Sequence, residues 1–410
     1  VLDADPRGQT KREYRQGRES VNQFNSSRMN EIIALDLTTG QPTRVRLDGV
    51  TISALDIIEA RAAGDLPVLA PAFWDIQTNG RFGISFSSPT LTEEDVAEVL
   101  RAHRPLGVSR LCPTLITAPA DDMRRGVETI ASACERHADL DRMVLGIHLE
   151  GPWISPEEGY RGAHPLHAVR EPDPAEFDRL QESAQGRITL VTLAPERPGA
   201  IELIRHMTMR GVVVSIGHTA ADAETISLAV DAGARLSTHL GNGIAAVLAR
   251  HPNPIFAQGA NDQLFASFIA DGQHLDRATL SVLARAKTLE RVILVSDASP
   301  LAGLPAGIYG EWEVLESGRV VVRGTPYLAG ANEPLSVGLA NLCRATGWPL
   351  SRAIQTVTVN PARLLGLAPP VIATGEPASF VLFEPSTPTQ PGPVLRASWI
   401  EGLKYTGAIA

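Results

Sequence analysis

Through the middle of the chain, short apolar runs alternate with stretches whose apolar positions recur at helical spacing. The runs Val68–Ile76, Arg110–Ile116, Met143–Leu149, Ile188–Leu193, Val212–Ile216, Arg235–His239, Phe265–Ile269 and Val292–Val295 predict strands. Thr92–His103, Ile201–Arg210, Ala220–Ala232 and Asp276–Ala286 predict helices between them. Thr92 followed by Glu94 and Asp95 predicts an N-cap with an acidic first turn. Eight strands with helical crossovers fit an α/β fold of the (β/α)8 TIM-barrel type over 68–367. A doubly wound sheet uses the same repeat and stays open on periodicity alone. No Gly-x-Gly-x-x-Gly follows the first strand.

The two ends have a different texture. Ile32–Leu35 and Arg44–Leu47 flank the turn Thr39-Gly40-Gln41-Pro42, while Ser379–Phe383 and Ala397–Ile400 flank a Pro-rich loop. These runs predict one small β-sandwich domain built from 29–67 and 368–410, with a polar arm over 1–28.

In a barrel the chemistry sits at the C-terminal ends of the strands. Reading each strand to its end yields Gln77 and Asn79, Glu150, His218, His239, Asp271 with His274, and Asp297. A lone strand-end histidine is most often a hydrogen-bonded structural residue. Two imidazoles and a carboxylate from three separate strand ends instead suit a three-ligand catalytic metal site with room for water. His148 shares the strand parity of Glu150 and reads as a packed interior histidine. Asp271 reads as a turn residue.

Composition narrows the class. The 410 residues carry 37 Lys+Arg against 46 Asp+Glu, a formal charge of −9 that argues against nucleic acid as a partner. No apolar run is long enough to span a membrane, and the first thirty residues hold no secretory apolar segment. Three scattered cysteines, Cys112, Cys134 and Cys343, exclude a cysteine zinc cage and suit a reduced, cytoplasmic protein.

Nine short segments, taken in order, carry a resemblance. They are Asp75-Ile76-Gln77-Thr78-Asn79-Gly80, Cys112-Pro113-Thr114-Leu115-Ile116-Thr117, Gly146-Ile147-His148-Leu149-Glu150-Gly151-Pro152 and Val191-Thr192-Leu193-Ala194-Pro195-Glu196. Ser215-Ile216-Gly217-His218, Thr238-His239-Leu240-Gly241-Asn242, Ile269-Ala270-Asp271-Gly272-Gln273-His274, Val295-Ser296-Asp297-Ala298 and Asn360-Pro361-Ala362-Arg363 complete the series. From about residue 30 onward the chain resembles the N-acetylglucosamine-6-phosphate deacetylases of the amidohydrolase superfamily.

The resemblance implies that Glu150, His218 and His239 hold a metal, that Asp297 is the catalytic acid/base, and that His274 polarises the acetyl carbonyl. It assigns the sugar to His164 and the phosphate to Asn242, the Gly243 backbone and Arg250, that arginine reaching the neighbouring subunit of a homodimer. Gln77-x-Asn79 stands where many amidohydrolases have His-x-His. Neutral amides are poor ligands beside imidazole, so one divalent ion per site is expected, with Gln77 and Asn79 bonding water or substrate. Zinc is the default for this donor set; Fe2+ or another divalent ion remains open. The substrate implied is N-acetylglucosamine 6-phosphate, the alternatives being another acetylated amino-sugar phosphate, such as N-acetylgalactosamine 6-phosphate, or binding without turnover. Arg81, Gly241 and Ala331 depart from the family pattern near the barrel mouth and bear on which sugar fits.

Overall fold

The central repeat closes into a barrel. The computed structural model describes residues 31–59, 65–385 and 392–406, so the arm expected over 1–28 lies outside the described residues. In chain order the first strands are β1 (Glu31–Asp36), β2 (Pro42–Asp48), β3 (Thr51–Ile57), β4 (Val68–Pro71), β5 (Phe73–Thr78), and the short pair β6 (Gly80–Arg81) and β7 (Ile84–Ser85). There follow β8 (Val108–Ile116), β9 (Ile147–Glu150), β10 (Ile188–Leu193), β11 (Val213–Ile216), β12 (Leu236–Ser237), β13 (Phe265–Ile269) and β14 (Val292–Val295). An eight-stranded sheet runs β5-β8-β9-β10-β11-β12-β13-β14, with parallel pairing between each strand and the next. Beyond β14 the ring is completed by backbone bonds from Asp297 N–H to Gln77 O (3.0 Å) and from Asn79 N–H to Ala298 O (2.9 Å). The fold is the expected (β/α)8 barrel, and the closing bonds run through candidate site residues.

One strand expectation is corrected. Val68–Ile76 is not a single strand, because β4 pairs with β1 and with the C-terminal strand β18 (Phe380–Phe383), and only β5 enters the barrel. Pro71-Ala72 lies at the break, and proline supplies no donor to continue a ladder. With β19 (Leu395–Ile400) and β20 (Leu403–Thr406), the chain ends form one seven-stranded sheet in the order β20-β19-β18-β4-β1-β2-β3. The Thr51↔Pro377 bridge brings β3 back to the segment before β18, so the sheet curls around Ile32, Val45, Leu69, Phe380 and Trp399.

The helix Glu93–Ala102 starts as its sequence predicts. Thr92 Oγ1 accepts from Asp95 N–H and Asp95 accepts from Thr92 N–H, each at 3.2 Å, a reciprocal capping box. An insertion the apolar pattern does not reveal follows β14: a three-stranded sheet of β15 (Gly307–Tyr309), β16 (Trp312–Val314) and β17 (Val320–Val322), with its own small core of Leu301, Tyr309, Val314, Val320 and Ala329. Among the described residues, no helix is long and apolar enough to cross a membrane.

Candidate active site

Interior positions of the barrel change from apolar to polar towards the C-terminal ends of the strands. His148 is 1% exposed, with Nε2 at 2.8 Å from Thr192 Oγ1 and Nδ1 at 3.4 Å from Thr114 Oγ1. Burial lowers its pKa to about 4, so it is a neutral, packed histidine, as its strand parity implies. Thr192 continues the network to Thr238 at 2.7 Å.

Glu150, the last residue of β9, is the hub of the next layer. Its Oε1 lies 2.9 Å from His239 Nε2, 3.2 Å from His218 Nε2 and 3.0 Å from Gln77 Nε2. Gln77 Nε2 also donates to Asp297 Oδ1 at 3.2 Å, and Asn79 Nδ2 donates to the same oxygen at 2.7 Å. The structure thus brings Gln77, Asn79, Glu150, His218, His239 and Asp297 into one buried constellation.

Backbone strain marks the same residues. His218, His239 and Asp297 have φ of 50°, 30° and 46°, a region where residues other than glycine are uncommon. Such strain persists only where surrounding contacts over-determine it, and it concentrates at functional sites. At Asp297 the contacts are visible: its N–H is bound by Gln77 O, and its carbonyl accepts from Ala331 N–H at 2.9 Å. A Cβ on Gly330 would stand 2.8 Å from that carbonyl, so the loop carrying Ala331 approaches as closely as glycine allows.

The segment after His218 is gripped from the neighbouring strand end. Glu196 accepts from Thr219 Oγ1 at 2.5 Å and from Ala220 N–H at 2.7 Å. The Ala-Pro-Glu segment after β10 therefore pins the chain immediately beyond a strained candidate ligand. Removing the carboxylate in Glu196→Ala is expected to weaken divalent-ion binding about 10- to 100-fold, the range for groups that orient ligands. Chelator-competition titration of the purified variant reads the effect, and an unchanged affinity refutes it.

The donor set fits a cation. His218 Nδ1 lies 2.9 Å from Tyr160 O, an acceptor only, so the ring proton sits on Nδ1. In the neutral ring the Nε2 lone pair then faces a carboxylate oxygen, an arrangement that calls for positive charge between them. His239 Nδ1 is a buried ring nitrogen with no hydrogen-bond partner. Burial pushes the Glu150 pKa up, but the His218 and His239 imidazoles against its carboxyl overcome it and hold the group well below its usual range. Asp297 moves the other way: burial, then the nearby Glu150 charge, raises it to about 6.

His164 is nearer this cluster than a sugar contact alone would require. One ligand atom each from Glu150, His164 and His218 lies within 4.8 Å of the others, and the His164 and His218 rings are 4.3 Å apart. Its Nδ1 is 2.9 Å from Thr117 Oγ1, a residue of the Cys112–Thr117 segment. The sequence does not join His164 to the cluster, because it sits on the loop well beyond β9 and is oriented by Thr117 from another strand end.

His274, Asn242 and Gly243 line the same pocket, together with Trp312 of the insertion and Tyr327. A Cβ on Gly243 would fall 2.8 Å from the His218 ring, so this loop packs directly on a candidate ligand. Arg250 is exposed and is not among the residues lining the pocket of its own chain. Asp271 is more than a turn residue: its Oδ2 lies 2.8 Å from His274 Nδ1. The Asp-Gly-Gln-His spacing is the available signal, since an Asx turn brings residues three apart together.

The chain is similar to known proteins over most of its length. The model of the amidohydrolase family matches residues 68–409. An N-acetylgalactosamine-6-phosphate deacetylase of Escherichia coli O157:H7 is 34% identical over 324 residues, covering 78% of this chain and 84% of that protein. The human N-acetylglucosamine-6-phosphate deacetylase is 37% identical over 340 residues, covering 79% of this chain and 81% of the human protein. A Mycobacterium smegmatis N-acetyl-D-glucosamine-6-phosphate deacetylase mutant, solved with N-acetyl-D-glucosamine-6-phosphate, superposes with a TM-score of 0.80 at 29% identity, over 92% of this chain and 99% of that one. With a strained, polar strand-end constellation on a closed barrel and these matches across most of its length, the chain belongs to the amidohydrolase family.

Proposed function

We propose that the protein hydrolyses the N-acetyl amide of N-acetylglucosamine 6-phosphate to glucosamine 6-phosphate and acetate. The observation that carries this reading is the convergence of Glu150, His218 and His239 beside an Asp297 carboxylate held by Asn79 and Gln77. Glu150, His218 and His239 hold one divalent ion, zinc by the chemistry of the donor set. When bound, such an ion supplies Lewis acidity that makes a water nucleophilic near neutral pH. Asp297 takes the proton of the attacking water and returns it to the departing amine, one carboxyl group serving both transfers. Asn79 and Gln77, both donors to Oδ1, leave its second oxygen for that work. His274 faces the oxyanion, and His164 the sugar.

Asn242, the Gly243 backbone and Arg250 bind the phosphate, with Arg250 reaching the site of a second copy in a homodimer. Exposure of Arg250, with Val247 87% and Phe256 62% exposed in the same part of the chain, supports this reading. The three free cysteines, two of them buried, suit a cytoplasmic enzyme.

A second reading keeps the chemistry and changes the sugar to N-acetylgalactosamine 6-phosphate; the 34% identity to an enzyme named for that substrate favours it. Acetate release from both sugar phosphates, measured on protein of known metal content, separates the readings. Turnover of the glucosamine compound at the higher kcat/KM is expected. Preference for the galactosamine compound selects the second reading, and release from neither overturns both.

A further inference from the structure

The pair formed by Asp271 and His274 constrains how His274 can act. Asp271 Oδ1 accepts from the backbone N–H groups of Gln273 and His274, each at 2.8 Å, and its Oδ2 meets His274 Nδ1 at 2.8 Å. Burial pushes the Asp271 pKa up, but the His274 bond outweighs it and keeps the group ionised. An ionised carboxylate only accepts, so the shared proton belongs to Nδ1. Neutral His274 then carries a lone pair on Nε2, the nitrogen not engaged by Asp271, and a lone pair cannot stabilise an oxyanion.

We propose that Asp271 is a positioning residue that fixes the His274 proton on Nδ1, so that Nε2 meets the acetyl oxygen as a donor only in the imidazolium form. This rests on the deacetylase reading for the identity of the acceptor. Besides Asp271 on its own loop, the ring interacts with Asp297 beyond β14; Glu333, in the segment before the helix Leu335–Thr346, lies near Asp271. Stabilisation then uses a charge-assisted hydrogen bond, about twice as strong as a neutral one.

Asp271→Asn tests the idea with little change of shape. The two backbone N–H groups need an oxygen acceptor, which turns the new amide NH₂ toward the ring. His274 Nδ1 must then accept, and the neutral ring carries its proton on Nε2 instead. Long-range 15N–1H correlation spectra of histidine-labelled, zinc-loaded protein read this directly, with His274→Gln identifying the signal. The wild type should show a neutral ring protonated on Nδ1, and the variant one protonated on Nε2.

Kinetically, the wild type should lose kcat/KM on the alkaline side as His274 gives up its Nε2 proton. The variant should lack that limb, because its neutral ring still donates. Its kcat should fall roughly tenfold with KM nearly unchanged, less than the about 10²–10³-fold cost of losing an oxyanion donor outright. A wild-type neutral ring protonated on Nε2, or an alkaline limb unchanged in the variant, overturns the proposal. Wild-type protein that shows the Nδ1–H form yet releases no acetate supports the Asp271 pairing and overturns the deacetylase reading instead.

Discussion

Asp297→Asn lowers kcat by about 10²–10⁴, the span for loss of a general acid–base group, with KM changed far less. The substitution keeps shape and volume, so the backbone bonds from Asp297 N–H to Gln77 O and from Ala331 N–H to Asp297 O survive. What it removes is the ability to take and return a proton. Burial and the Glu150 charge bring the native carboxyl to about 6, close enough to neutrality for both transfers. A bound cation can only pull that value down, so the acid limb of the native pH profile should lie at or below it. Steady-state acetate release, with circular dichroism to confirm folding, checks the effect. Near-native turnover in the variant would remove Asp297 from the mechanism.

Glu150→Gln is expected to weaken divalent-ion affinity by more than about 10²-fold, beyond the range for groups that merely orient ligands. Glu150 Oε1 is where His218, His239 and Gln77 meet, and it is the one carboxylate among them. A neutral amide is a far poorer ligand for a borderline-soft dication, and its NH₂ would compete for the imidazole lone pairs. Metal analysis after dialysis against a weak chelator reads the loss without reference to activity. A variant that retains one equivalent of ion would show that His164 and the two other histidines suffice, which the 4.8 Å cluster of Glu150, His164 and His218 makes a pointed comparison.

Much of this site is legible in the sequence. Strand-end reading puts Glu150, His218, His239 and Asp297 at one mouth because a parallel barrel collects those ends whatever the crossovers do. The limits of that reading are equally physical. The sequence Val68–Ile76 is apolar apart from Asp75; Pro71 marks the break, but nothing in it says that β4 serves a different sheet from β5. Glu196 looks like a loop residue because its partners, the Thr219 hydroxyl and the Ala220 N–H, lie beyond the next strand, and Asp271 shows itself only through its three-residue spacing from His274.

The sequence by itself determined the class of fold, the capped helix at Thr92 and the identity of the polar residues at the strand ends. Those properties follow from local periodicity and short-range hydrogen bonding, which a chain carries wherever it folds. Only the tertiary structure decided that His164 joins the cluster, that three of the key residues sit at strained positive φ, and which oxygens face Nδ1 of His218 and of His274. Each of these depends on an acceptor or a backbone clamp elsewhere in the chain, such as Thr117, Ala331, Tyr160 or Asp271, whose placement no local pattern encodes.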